Sequence, residues 1–288
     1  MFRRSRRQVL ADSRSVRASP TPLRVQVSHL HGGDVPGVDT SDGSPALRTP
    51  CPGHPRHRMA WLPEQPLVSS GRPPGALAMN PTRQHWNDVW SKKVHAEVSW
   101  YQADPRSSLS SIDRFGITDA DDVIDVGCGA SHLADRLVER GVRRLHLLDV
   151  SSVALDAVRS RLVAIDSETA VEYLATDVLD LAPAPSVSLW HDRAVLHFIR
   201  DSDARSRYAA IATAAVRPGG HLVIGGFAPD GPLRCSDLDV ERADEADLSR
   251  LFEGSFGLES SRRESHETPW GAAQSFQWCV FKRCGLDS

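Results

Sequence analysis

The chain has 288 residues, 40% of them apolar and 25% charged, with a formal net charge of −3; that length suits one sizeable α/β domain with additions, or two small domains. The charge is uneven: residues 1–78 hold eleven Arg, no Lys and five acids, a balance of +6, which leaves −9 on the rest. A body of that sign excludes generic nucleic-acid binding, which needs clustered Lys and Arg.

Residues 1–78 hold eleven of the nineteen Pro and few large apolar side chains, so they bury too little to offset the entropy of ordering and are expected to be disordered. Ser5-Arg6-Arg7-Gln8-Val9-Leu10 resembles a twin-arginine export signal, but Ala11-Asp12-Ser13-Arg14-Ser15 after it is polar. A transit peptide is opposed by Asp12, Asp34 and Asp39. Met79-Asn80-Pro81 reads as a natural start, so residues 1–78 are read as an over-extended translation start with no part in the chemistry.

The organised chain is predicted from Trp86. Asn87 to Lys93 forms a short helix, with Trp86 and Trp90 four residues apart on one face; Ser99-Trp100-Tyr101 follows, then a helix from Ser107 to Phe115. Residues 79–121 are thus read as a helical lid before the domain at 122–288. Val123-Ile124-Asp125-Val126 is a strand broken by Gly127-Cys128-Gly129, and Ser131 to Arg140 is a helix. Leu145 to Val150 is the second strand, and Ser151 or Ser152 caps the next helix. Val171–Ala175 and Val187–Trp190 are the third and fourth strands. A helix from Arg205 to Val216 stops at Arg217-Pro218-Gly219-Gly220, and His221–Phe227 is the fifth strand. After a helix from Asp244 to Phe252, Phe256–Glu264 and Ser275–Lys282 are two strands with only a short loop between them, so they pair antiparallel. Such alternation specifies a Rossmann-like doubly wound α/β sheet of seven strands, mostly parallel, with one antiparallel strand in a C-terminal hairpin.

In such sheets ligands sit at the carboxyl ends of the strands. Gly127 lets the chain double back and Gly129 lets backbone approach a ligand. About twenty residues on, Asp149 ends the second strand, where an acid accepts both ribose hydroxyl protons. Strand, Gly-x-Gly, helix, strand and terminal acid in that order mark a nucleoside cofactor. The third glycine of a dinucleotide site is replaced by His132, and Asp125 would repel a pyrophosphate but favour a cationic ligand carrying an amino group. These two residues, and the lack of a Tyr-x-x-x-Lys pair, oppose a nicotinamide-dependent oxidoreductase; a non-catalytic nucleoside-binding subunit is the other rival.

The run Val123 to Ser131 resembles the first motif of class I S-adenosylmethionine-dependent methyltransferases. Asp149 matches the family's ribose-binding acid, with Val150 beside it. Ala175-Thr176-Asp177-Val178 resembles the adenine-binding segment, in which the acid accepts from the adenine amino group and the next amide donates to the ring. Val216 to Gly220 resembles the turn before the fifth strand. Ser99-Trp100-Tyr101-Gln102 and His191-Asp192-Arg193-Ala194-Val195-Leu196-His197-Phe198 look like a bacterial stand-alone subgroup, broadly similar to methyltransferase-like enzymes that modify lysines. The resemblance spans roughly residues 85–283. It implies S-adenosyl-L-methionine as cofactor, held by Trp100, Tyr101, Asp125, Gly127, Cys128, Gly129, Asp149, Val150, Asp177, Val178 and His191, with Trp100 and Tyr101 as a lid.

His191 and Asp192, just after the fourth strand, are the candidate catalytic bases. Arg193 is placed to hold an acidic substrate group or to pair with Asp192, and His197 is read as an ordinary satisfied, half-buried histidine. The stretch Asp230 to Ala243 is too short for a recognition domain, which favours a small-molecule acceptor over a protein lysine. Five cysteines (Cys51, Cys128, Cys235, Cys279, Cys284) without a CxxC pair oppose a disulfide framework or a metal site and suggest a reducing, cytoplasmic setting. No apolar run reaches the roughly 18 residues needed to span a membrane.

Overall fold

In chain order the computed structural model, which describes residues 83–92 and 95–285, contains α1 (Arg83–Lys92), α2 (Arg106–Ile112), β1 (Asp122–Val126), α3 (Leu133–Glu139), β2 (Arg144–Asp149), α4 (Ser152–Leu162), β3 (Ala170–Ala175), β4 (Val187–Arg193), α5 (Ser202–Ala215), β5 (Val216–Phe227), β6 (Arg234–Cys235), β7 (Leu238–Asp239), α6 (Glu245–Leu251), β8 (Phe256–Glu267) and β9 (Ala273–Arg283). The readings of residues 1–78, and of Met79 as a start, lie outside the described residues.

The seven long strands form one sheet in the order β3-β2-β1-β4-β5-β9-β8. β1 through β5 pair in parallel. β9 runs antiparallel to both neighbours, β5 and β8, so the last strand fills a slot inside the sheet. The strand order reverses between β1 and β4, which opens a crevice at their carboxyl ends. β1 is buried throughout, as expected of a central parallel strand covered on both faces.

Alternation along each strand divides the core into two layers. Trp190, Tyr208, Phe252 and Phe281 belong to one; Leu133, Leu145, Leu189 and Trp278 belong to the other. Three helix starts are fixed by side-chain acceptors. Ser151 Oγ accepts from Ala154 N at 3.3 Å and Asp201 Oδ1 from Ala204 N at 2.9 Å. Asp244 and Asp247 accept each other's backbone N–H at 2.9 and 3.1 Å, a reciprocal capping box.

The sequence misplaces several boundaries. β4 continues through Arg193, so His191 and Asp192 lie in the strand and not after it. α5 begins at Ser202, because Asp201 supplies the cap, and ends at Ala215. β5 starts at once with Val216, so Arg217-Pro218-Gly219-Gly220 belongs to the strand; a register irregularity opposite Val187 and Leu189 accommodates it. The stretch after β5 holds a small hairpin, β6–β7, whose corner residues Ser236 and Asp237 take positive φ. Cys128, Cys235 and Cys279 are buried free thiols, whereas Cys284 is disulfide-bonded, against the expectation of thiols throughout. Among the described residues no helix is long and apolar enough to cross a membrane, and no cluster of three or more potential ligands could hold a metal ion.

Candidate active site

The crevice begins at the turn after β1. Gly127 and Gly129 take φ of +62° and +53°, a region costly for any residue with a Cβ. A Cβ on Gly127 would lie 2.0 Å from Val195 Cγ2, and one on Gly129 2.7 Å from Trp90 Cζ2. Both glycines are therefore required by conformation and by space. At the end of β2, Asp149 reaches back to this turn: its Oδ2 accepts from Gly129 N and its Oδ1 from Ser151 N, both at 2.8 Å. Burial pushes its carboxyl up to about 6, against the restraint of those two N–H groups. Asp177, after β3, accepts from Leu179 N at 2.9 Å, which sets the chain direction at Val178.

Asp125 on β1 and His191 on β4 stand in register on neighbouring strands. Asp125 Oδ1 lies 2.7 Å from His191 Nδ1, and His191 Nε2 lies 2.9 Å from Ser108 Oγ on α2. A carboxylate only accepts, so Nδ1–H donates to Asp125, while Nε2 shares its hydrogen bond with the Ser108 hydroxyl. Asp125 Oδ2 is buried without a hydrogen-bond partner. Burial next to Asp149 and Asp125 holds the Cys128 thiol well above its usual range, so it remains an un-ionised wall group.

Asp192 points to the opposite face, as strand alternation requires. Its carboxylate accepts from Val195 N (2.8 Å), Leu196 N (3.1 Å) and the Tyr208 hydroxyl (2.6 Å). Tyr208 in turn accepts from Trp190 Nε1 at 3.0 Å. Burial raises the Asp192 carboxyl to about 6. The structure thus separates the two residues nominated as bases: His191 faces the crevice and Asp192 closes the turn beneath it.

Arg193 does not pair with Asp192. Its Nη1 donates to Trp100 O at 2.9 Å, and His266 Nε2 donates to Ser99 O at 2.7 Å. These two bonds tie residues 99–100 to β4 and β8. Burial lowers the Arg193 pKa to about 10, opposed by Glu264 and Asp125, so the guanidinium stays charged at neutral pH. Arg193 Nε has no partner.

One cavity, about 1220 Å³ out to its mouth, is lined at once by Trp100, Tyr101, Asp125, Gly127, Cys128, Gly129, Asp149, Val150, Asp177, Val178 and His191. Its far end is lined by residues that sequence reasoning did not assign to a site, among them His197, Phe227, Cys235, Gln274 and Phe276. His197 corrects the expectation of a satisfied side chain. It is buried, neither ring nitrogen has a partner, and burial pushes its pKa down to about 3. Gln102 and Gln274 each line the cavity with an unpartnered buried Oε1. No local pattern marks these residues, since the end of β5, β6 and β9 converge on the site only through the tertiary fold. His266, Thr268 and Trp270, around the β8–β9 turn, do not line the cavity; His266 and Thr268 are buried and Trp270 is exposed.

Comparison with known proteins agrees with this geometry. Residues 123–220 match the family described as a methyltransferase domain. No curated protein matches the chain. Among solved structures, a protein from the conversion of a disulfide bond into a thioacetal group during echinomycin biosynthesis superposes with a TM-score of 0.57 at 18% identity, covering 72% of this chain and 94% of its own. The 1,6-didemethyltoxoflavin-N1-methyltransferase of Burkholderia thailandensis, holding 1,6-didemethyltoxoflavin and S-adenosylhomocysteine, gives 0.52 at 20% identity, covering 68% and 81%. The N-methyltransferase NodS of Bradyrhizobium japonicum, complexed with S-adenosylhomocysteine, gives 0.51 at 15% identity, covering 69% and 98%.

The match over residues 123–220 marks a methyltransferase domain, and the sheet order is the fold it shares with these solved structures. S-adenosyl-L-methionine is the cofactor to which such a domain points. The residues present fit that molecule: the unpaired Asp125 Oδ2 is an acceptor suited to an ammonium group.

Proposed function

We propose that this enzyme methylates a small-molecule acceptor by in-line displacement. The carrying observation is the far end of the cavity, a recess walled by the paired rings of Phe227 and Phe276. Such a recess suits a compact molecule better than a lysine on a folded protein. The stretch after β5 supports the same reading, since it folds back as the two-residue strands β6 and β7 and not as a recognition domain. The Burkholderia relative, whose bound 1,6-didemethyltoxoflavin is a small molecule, is a parallel for this assignment.

In this reading Asp149 accepts from the ribose hydroxyls, Asp177 accepts from the adenine amino group and the Val178 amide donates to the ring. Asp125 Oδ2 takes the ammonium, while Cys128 and Val150 line the nucleoside end. Trp100 and Tyr101 form part of a lid that excludes water and turns aromatic faces to positive charge. The cofactor supplies an electrophilic methyl carbon on a positively charged sulfur. The protein's contribution is to position the acceptor. His191 acts as a positioning residue for Asp125, because both of its ring nitrogens are already engaged, and Asp192 holds the turn at Val195 and Leu196. We place the reaction in the cytoplasm, with three buried free thiols in favour and the Cys284 disulfide against.

The test is calorimetric binding of S-adenosylhomocysteine and of NAD, followed by a screen of small acceptors and peptides with labelled cofactor. Binding of NAD alone overturns the proposal, as does label transfer to lysine peptides but to no small molecule.

A further inference from the structure

Three side chains with four unpartnered polar atoms meet at the far end of the cavity. Arg193 is the one Lys or Arg among the described residues lining it, and its Nε is buried without a partner. His197, 4% exposed, presents two unpartnered ring nitrogens. Gln274 presents an unpartnered Oε1. The rings between them form a continuous wall: His197 lies 4.9 Å from Phe227 and Phe227 5.1 Å from Phe276, centroid to centroid, and the Arg193 guanidinium lies 5.6 Å from the Phe276 ring.

Buried polar groups are nearly always paired, so several orphans facing one recess mark where a ligand's polar groups go. The single guanidinium matches one negative charge. A carboxylate meets its fork geometry, whereas a phosphate dianion would leave charge uncompensated beside Asp125 and Asp149. Between the anionic end and the imidazole the wall is aromatic, which suits a flat apolar ring. His197 is kept neutral by burial, so it can accept a hydrogen bond without placing a second cation beside the sulfonium.

We propose that the acceptor is a small aromatic or heteroaromatic carboxylic acid, with its carboxylate on Arg193, its ring along Phe227 and Phe276, and an N–H or O–H directed to His197. This rests on the methyltransferase reading and adds the chemical class of the acceptor.

The experiment uses the full chain saturated with S-adenosylhomocysteine. Binding of benzoate and of benzamide, which differ in charge but hardly in shape, is read by ligand-observed NMR. Benzoate should bind and benzamide should bind roughly 10- to 100-fold more weakly, the range of a charge-assisted hydrogen bond. Arg193→Met should weaken benzoate by a similar factor and leave S-adenosylhomocysteine affinity within about 2-fold, below 0.5 kcal/mol. Arg193→Lys, which keeps the charge and can still reach Trp100 O, should restore part of the benzoate binding and guards against a disturbed lid. Equal binding of the two probes, or no binding of benzoate, overturns the proposal. So does equal loss of benzoate and S-adenosylhomocysteine in both variants, which would assign Arg193 to the cofactor's own carboxylate. Failure of the wild type to bind S-adenosylhomocysteine would instead remove the methyltransferase reading beneath it.

Discussion

Asp149→Asn separates ligand recognition from folding. In the folded protein the carboxyl sits at about 6 where 3.8 is usual. At about 1.4 kcal/mol per unit, keeping it ionised at pH 7 costs roughly 3 kcal/mol. Asparagine removes that cost. One amide oxygen can still accept from Gly129 N or Ser151 N, but the NH₂ then faces the other donor, a loss of roughly 1–3 kcal/mol. The two effects nearly cancel, so the melting temperature should move by no more than about 4 °C. Affinity should not be spared. Two hydroxyl-to-carboxylate bonds contribute roughly 1.5–3 kcal/mol each, and an amide oxygen recovers only part of this. A net loss of about 2–5 kcal/mol is expected, or roughly 30- to 4,000-fold in Kd. Calorimetric titration of S-adenosylhomocysteine, paired with thermal melting of the free protein, reads both quantities. An affinity within threefold of wild type refutes the ribose assignment. A lost affinity with collapsed melting refutes the compensation argument.

Four further outcomes follow from the geometry. Because the free protein protonates Asp149 near pH 6 and the ribose needs an acceptor, affinity for S-adenosylhomocysteine should fall as pH drops below about 6; a flat profile from pH 7 to 5 contradicts this. Gly127→Ala meets both positive φ and the Val195 methyl, so stability should fall by about 2 kcal/mol or more; an unchanged melting point would show the turn to be adaptable. His191→Ala strips one partner each from Asp125 and Ser108, so turnover and cofactor affinity should fall together; loss of turnover alone would return His191 to the role of base. Asp192 has a raised pKa, so its contribution to stability is full below about pH 4, its unfolded value, and is lost as pH rises through about 6. Asp192→Asn should remove that slope, and melting at pH 5 and 7.5 against wild type checks it.

The cofactor half of the site was legible because its determinants are local. Asp125, Gly127, Gly129 and Asp149 lie within one strand–turn–helix–strand unit, and their spacing alone brings them together. The acceptor half was not legible, because β4, β5 and β9 meet there only through sheet order. His191 and Asp192 show how one boundary error spreads. Once β4 is seen to continue past Trp190, period-two alternation sends the neighbours to opposite faces, and only one can reach the cavity. The Pro-Gly-Gly stretch misled for a related reason: its turn-forming residues sit at the start of an extended strand that a register irregularity absorbs. His197 carries no sequence mark at all, since a satisfied and an orphaned histidine differ only in their surroundings.

The placement of β9 inside the sheet has a consequence for biosynthesis. Among the described strands it is the last to be translated, yet it is wedged between two made earlier. A nascent chain halted before Ala273 would leave β5 with an open hydrogen-bonding edge and β8 with no neighbour to hold it, a state prone to pairing with other chains. Phe276 and Gln274 would be missing too, so the far end of the cavity would be the final part to form. Premature termination therefore yields no promiscuous half-enzyme, only a chain for quality control to remove.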